Sequence, residues 1–362
     1  MKRIFLFPFI AAIVFLSVWS AEPQPETSVS AKLFVTSPSF DLIASLQNFD
    51  KNLATAPQFG ALAADSMFRQ RLTKINDEVR ASKLCNFYAR FKADKNNPDS
   101  CVAFFRTITV NPAVTASSEP WITDIAALAP ELSYCLEAIN AAGYFDYWQQ
   151  EVRPRLSGYI ESYPTEGEVL DRIHSAMTGF SGADSLSETQ SNIYVLDIDN
   201  AFNLSDESFC CTPLLLNPEL EKQFRLDFLK VYIHENLHRL PVSAELMQRM
   251  DALKENDEFY RENESLARSH NEGGNEALVV AAEVFISHQL GRRDDSSVLQ
   301  EFQEYVDGSL VLAPIIYVHL GDKRNNETLN DFVMRLFDDG TIRAGHVKEE
   351  YERAMDSLAK KI

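Results

Sequence analysis

The chain has 362 residues, 45% of them apolar and 24% charged, enough for one large domain or two and unlike a collagen, a coiled coil or a broadly disordered protein. Its formal charge is −19, and without Lys2 and Arg3 it has 32 cationic residues against 53 acidic ones, or −21. A surface this acidic repels phosphate backbones, which argues against nucleic acid as a partner; otherwise it serves solubility.

Lys2 and Arg3 precede an apolar run from Ile4 to Val18, with small residues at Val18 and Ser20. This is the layout of a secretory signal peptide over residues 1–20, cleaved after Ser20. The run is short for a membrane span of about 20 apolar residues, and Pro8 interrupts it. A mature protein without a stable membrane anchor, periplasmic or extracellular, is therefore expected. Residues 21–31 are polar and read as a flexible mature N-terminus.

From Ser37 to Ala176 the pattern is mainly helical, and residues 21–185 are read as a helical N-terminal region. Phe40, Leu42, Ile43, Leu46 and Phe49 recur at helical spacing. So do apolar residues between Trp121 and Ala142, where Pro130 is expected to kink or split the segment. Polar breaks at Asn96-Asn97-Pro98 and Ser117 to Pro120 separate elements. Cys85, Cys101, Cys135, Cys210 and Cys211 form an odd set; in an oxidising compartment some should pair, and Cys85 and Cys101 flank a stretch that a bridge can close. No Cys-x-x-Cys spacing is present. Asn203, Asn263 and Asn326 each open an Asn-x-Ser/Thr triplet.

Gly179 to Ser191 reads as a boundary loop, and residues 186–362 as the second region. Ile193 to Ile198 is β-branched and aromatic and reads as a strand, either internal or at a sheet edge. Asn217-Pro218-Glu219 reads as the start of a helix that runs to Leu240, where Pro241 ends it. Leu220, Phe224, Phe228 and Val231 form an inward stripe that continues through His234, Glu235 and His238. After a charged stretch and Gly273-Gly274, a helix is expected from Asn275 to Leu290, stopped by Gly291. Further helices follow to Ile362.

His234-Glu235-Asn236-Leu237-His238 carries the chemistry. Residues four apart share a helix face, so both imidazoles can ligate one metal ion. Zinc suits nitrogen and oxygen donors, and a catalytic zinc needs three protein ligands and a place for water. The metal lowers the pKa of that water, Glu235 takes its proton as general base, and the hydroxide attacks a carbonyl. Candidates for the third ligand are Glu276, which opens an apolar helix, His270, Glu272 and Glu283. His270 and Tyr260 are weak candidates for steadying an oxyanion, against their reading as solvated loop residues. His174, His288, His319 and His346 have no partner at metal spacing. The chain has no Gly-x-Ser-x-Gly, P-loop, dinucleotide fingerprint or EF-hand loop.

His-Glu-x-x-His followed by a helix opening Asn275-Glu276-Ala277 resembles the gluzincins, the thermolysin-like zinc peptidases. The resemblance covers two short segments within roughly residues 190–290. It implies a zincin-like catalytic domain over 186–362, Glu276 as third ligand beside His234 and His238, and a sheet edge that pairs with an extended peptide. The layout is also similar to uncharacterised families of secreted bacterial zincin-like proteins. The spacing from His238 to Glu276 is longer than in compact gluzincins. Val280 stands where they often carry an acid, so Glu283, two turns on from Glu276, is expected to orient an imidazole.

The expectation is thus an α+β, predominantly α-helical protein that binds Zn2+ and hydrolyses a peptide or protein substrate. The alternative is a zincin-fold binding or scaffold protein that holds zinc with little or no turnover. A metal-free acidic helical protein is a further one. Oligomeric state is not readable.

Overall fold

The computed structural model describes residues 34–91, 94–163, 167–181, 192–204, 208–217, 228–270 and 272–362. The expected signal peptide, the polar residues 21–31, most of the expected boundary loop and the helix start at Pro218-Glu219, with Leu220 and Phe224, lie outside the described residues.

Helices of eight residues or more are numbered in chain order. The N-terminal half contains α1 (Pro38–Asn48), α2 (Ser66–Glu78), α3 (Ala81–Arg90), α4 (Pro98–Thr107), α5 (Pro120–Ala127), α6 (Ala129–Ala141), α7 (Arg153–Ser162) and α8 (Gly167–Ser181). The C-terminal half contains α9 (Phe228–Leu237), α10 (Ala244–Asn256), α11 (Glu258–Ser269), α12 (Glu276–Gln289), α13 (Asp295–Glu304), α14 (Leu312–His319), α15 (Leu329–Asp338) and α16 (Val347–Ala359). The protein is α+β and predominantly helical, with one small sheet.

Local chemistry sets many of these boundaries. Ser37, Asp65 and Asn97 accept hydrogen bonds from the first free N–H groups of α1, α2 and α4. Pro98 and Pro120 open helices, a position where the missing N–H costs nothing. Pro130 splits the expected Trp121–Ala142 helix into α5 and α6 and sits in the first turn of the second. All five apolar residues singled out around α1 are buried, because α1 is surrounded by α2, α3, α4 and α6.

The sheet has strands β1 (Phe34–Val35), β2 (Ile193–Val195), β3 (Phe202–Asn203) and β4 (Phe209–Cys211) in the order β1-β2-β4-β3. β2 runs parallel to β1 and β4, with Ile193 opposite both Phe34 and Phe209, whereas β3 is antiparallel to β4. The segment at Ile193 is therefore an internal strand and not an edge. All three β2 residues are buried, which explains its continuous apolar sequence.

The N-terminal half is tied to the end of β2 by a buried carboxylate. Asp41 of α1 accepts from Trp148 Nε1 and from the Asp197 N–H, both at 2.7 Å. Asp197 in turn accepts from Asn52 at 2.9 Å and Arg155 at 2.8 Å. The expected cysteine pairing is not found: all five cysteines are buried and none forms a disulfide. The Cys85 and Cys101 thiols instead face the Phe40 and Ser39 carbonyls, each at 3.9 Å. None of the described helices is long and apolar enough to cross a membrane.

Burial pushes the Asp41 carboxyl up to about 7 from 3.8, against the lowering effect of its hydrogen bonds from Trp148 and Asp197. A folded-state pKa above the unfolded one means the fold holds this proton more tightly. The stability it contributes is full below 3.8 and lost as pH rises through about 7. Denaturant unfolding across this window should show the wild-type protein losing stability relative to Asp41→Asn as pH rises. Parallel pH curves for the two proteins would count against the assignment.

Candidate metal centre

The centre lies where α9 and α12 pack against each other. Regular α-helix in α9 ends at Leu237, three residues before the expected Leu240. Pro241 lacks an N–H and disfavours helical backbone at the residue before it. The Arg239 and Leu240 N–H groups accordingly bond three residues back, to Asn236 and Leu237, at 3.0 Å. His238 still bonds four residues back, to the His234 carbonyl at 3.3 Å, so its side chain stays one turn above His234.

α12 starts at Glu276, with Asn275 as its cap residue. The preceding turn depends on Gly273 at φ 126°, where a Cβ would meet Arg268 Cγ at 2.9 Å and Glu264 Oε1 at 3.2 Å. Buried Glu264 accepts from the Gly274 N–H at 3.1 Å and from Arg268 Nε at 2.7 Å. This fixes the start of α12 against α11. Gly291 at φ 71° ends α12 as expected, its N–H bonding the His288 carbonyl at 3.0 Å.

Donor atoms of three residues converge here. His234 Nε2 and His238 Nε2 are 3.1 Å apart. His234 Nε2 is 3.2 Å from Glu276 Oε1, and His238 Nε2 is 3.3 Å from Glu276 Oε2. Among the described residues these three form the group able to hold a metal ion. Tetrahedral zinc with bonds of about 2.0–2.1 Å sets neighbouring ligand atoms about 3.3 Å apart. The donor types and spacing both fit zinc.

The electrostatics are those of a crowded, partly desolvated site. Burial works against charge on His234, but the hydrogen bond and charge of Glu276, with Glu235 and Glu283, outweigh it and raise its pKa. Burial and the neighbouring His234 charge lower that of His238. For Glu276, burial is outweighed by His234, His238 and Tyr305, leaving its carboxyl below the usual range. Burial pushes Glu235 up to about 7, with Glu276 and Glu272 adding to it and His234 opposing. A carboxylate near 7 suits a general base.

The other sequence candidates divide. Glu272 lies beside Glu276, and burial and that neighbour's charge raise its pKa. His270 is half exposed and pairs with Asp307 at 3.2 Å. Tyr260 is not a solvated loop residue: it is buried in the first turn of α11, and the charged groups acting on it are Glu264, Arg268 and Asp251. Glu283 is buried, but its carboxylate does not hold an imidazole. Its partners are Arg293 at 3.2 Å and Ser287 at 2.8 Å. Arg293 also bonds Glu301 at 3.0 Å, and Glu301 accepts from Lys230 of α9 at 2.9 Å. The acid two turns along α12 therefore joins α12 to α9 through α13.

Two contacts were not foreseen from sequence. The Tyr305 hydroxyl donates to Glu276 Oε1 at 3.1 Å. Asn203 of β3 donates from Nδ2 to the Glu235 carbonyl. The Asp307-Gly308 pair marks a turn near Tyr305, but nothing local says what that tyrosine touches 29 residues away. No protein-family model, curated protein or solved structure matches the chain.

Removing one partner of a buried ion pair leaves the other charge uncompensated, at a cost of about 3–5 kcal/mol. Glu283→Ala should therefore destabilise the fold by that order in denaturant unfolding. A stability within 1 kcal/mol of wild type, about the worth of one neutral hydrogen bond, would remove Glu283 from the framework.

Proposed function

We propose that this chain is an exported zinc-dependent peptidase of the gluzincin kind, with its zincin-like domain in residues 186–362. His234, His238 and Glu276 hold the zinc and Glu235 is the general base. The carrying observation is the convergence of two imidazole Nε2 atoms and the two oxygens of one carboxylate, at 3.1 Å between the nitrogens and 3.2 and 3.3 Å from each nitrogen to its own oxygen, on two packed helices. The composition of residues 1–20 supports export.

Zinc, when bound, supplies a Lewis acid that makes water acidic and polarises a carbonyl. The protein does the rest. Glu235 follows His234 directly on α9, and its partly desolvated carboxyl binds a proton near neutral pH. It accepts the proton of the attacking water and returns it to the leaving amine. Asn203 bonds the Glu235 main chain and ties the base to β3. β3 ends the sheet among the described residues and packs on α9. A free strand edge of this kind can take an extended peptide by main-chain hydrogen bonds, without reading its side chains. The substrate class is accordingly a peptide or an unfolded protein segment.

The zinc-loaded protein should cleave members of an unstructured peptide library, and chelation should abolish the cleavage. Glu235→Gln should keep its zinc while turnover falls by about 10²- to 10⁴-fold. Equal turnover in Glu235→Gln would exclude Glu235 as the base. No cleavage by the zinc-loaded wild-type protein would favour a zinc-binding scaffold.

A further inference from the structure

The segment after α13 has unusual backbone geometry. Val306 (φ 53°, ψ 38°) and Asp307 (φ 54°, ψ 30°) are left-handed without being glycine. Gly308 follows at φ 72°, and a Cβ there would meet the Gln303 carbonyl oxygen at 2.9 Å. A β-branched residue in this region is a genuine outlier. Each such residue is strained and persists only where its surroundings over-determine it.

The turn brings two side chains to the metal centre. Tyr305 reaches Glu276 Oε1 at 3.1 Å, and its ring centroid lies 6.3 Å from that of His234. Asp307 meets His270 Nε2 at 3.2 Å, which ties the turn to the end of α11. Besides Glu272, the Glu276 carboxylate has Tyr305 and the two imidazoles in fixed places. Oε1 faces Tyr305 and His234, and Oε2 faces His238.

We propose that Tyr305 is a positioning residue of this centre: its hydroxyl, delivered by the left-handed turn at Val306–Gly308, donates to Glu276 Oε1 and fixes the carboxylate against the two imidazoles. The inference rests on the reading of His234, His238 and Glu276 as a zinc site. A carboxylate on a bare χ3 torsion rotates broadly. A neutral donor on one oxygen holds its plane and adds no competing charge. It thus takes the part that outer hydrogen bonds play for ligands generally, and losing such a partner costs about 10- to 100-fold in metal affinity.

The test is zinc affinity by competition with a chromophoric chelator, on the mature chain, for wild type, Tyr305→Phe, Gly308→Ala and Tyr317→Phe. Tyr317 is a control, since its hydroxyl bonds His288 Nδ1 at 2.9 Å, outside the centre. Tyr305→Phe should bind zinc about 10- to 100-fold more weakly, while the metal-free protein stays folded with a slightly lower melting temperature. The visible absorption of the cobalt-substituted protein should shift in that variant. Gly308→Ala keeps the hydroxyl but displaces the turn, and should weaken binding in the same direction. Tyr317→Phe should bind as wild type does. Equal affinity in Tyr305→Phe and wild type would overturn the inference and leave the zinc site standing. So would an equal loss in Tyr317→Phe. Wild-type affinity in Gly308→Ala would overturn the role of the turn. Wild-type protein that takes up no zinc would remove the site reading itself.

Discussion

Glu276 keeps a charged carboxylate almost out of water, its side chain 3% exposed, between two imidazoles. A buried carboxylate is costly unless cations and hydrogen bonds surround it. The C-terminal half supplies them from three directions. α9 brings His234 and His238, the turn after α13 brings Tyr305, and the turn held by Glu264 sets where α12 begins. When a proton rather than a metal joins His234 to Glu276, the raised His234 pKa follows directly. Protons and metal compete for the same nitrogen, as they do at any imidazole site.

That arrangement needs α9 and α12 held at fixed separation, and apolar packing alone does not fix it to tenths of an ångström. The Lys230–Glu301–Arg293–Glu283 network adds directional contacts between the same two helices. A network of this kind is weak support for stability in itself. Its value here is geometric, because it joins the helix that carries His234 and His238 to the helix that carries Glu276. The Asp41 cluster does the corresponding work between the helical half and the sheet, whose outer strand touches the main chain of Glu235.

Much of this was legible in the sequence because it is periodic or local. Four-residue spacing puts His234 over His238, Gly273-Gly274 announces a new helix at Glu276, and Gly291 and Pro130 mark ends where the chain does end or divide. What was not legible depends on distant segments. β1 is two residues long and leaves no alternating pattern, so nothing revealed that Ile193–Val195 would be covered on both sides. Glu283 lies on the expected side of α12, but an arginine ten residues later claims its carboxylate. The α9 end moved because a proline acts backwards on the residues before it. Tyr260 reads as a loop residue because the charged stretch around it hides an amphipathic helix. Tyr305 carries no motif at all, and its role comes from a turn whose backbone strain is invisible in the sequence.

The most direct test of the central claim is X-ray absorption at the zinc edge on the zinc-loaded mature protein. A zinc held by His234, His238 and Glu276 has a first shell of only nitrogen and oxygen at about 2.0–2.1 Å, with two imidazoles among the scatterers. A sulfur contribution at about 2.3 Å, or a shell containing fewer than two imidazoles, would contradict this ligand set.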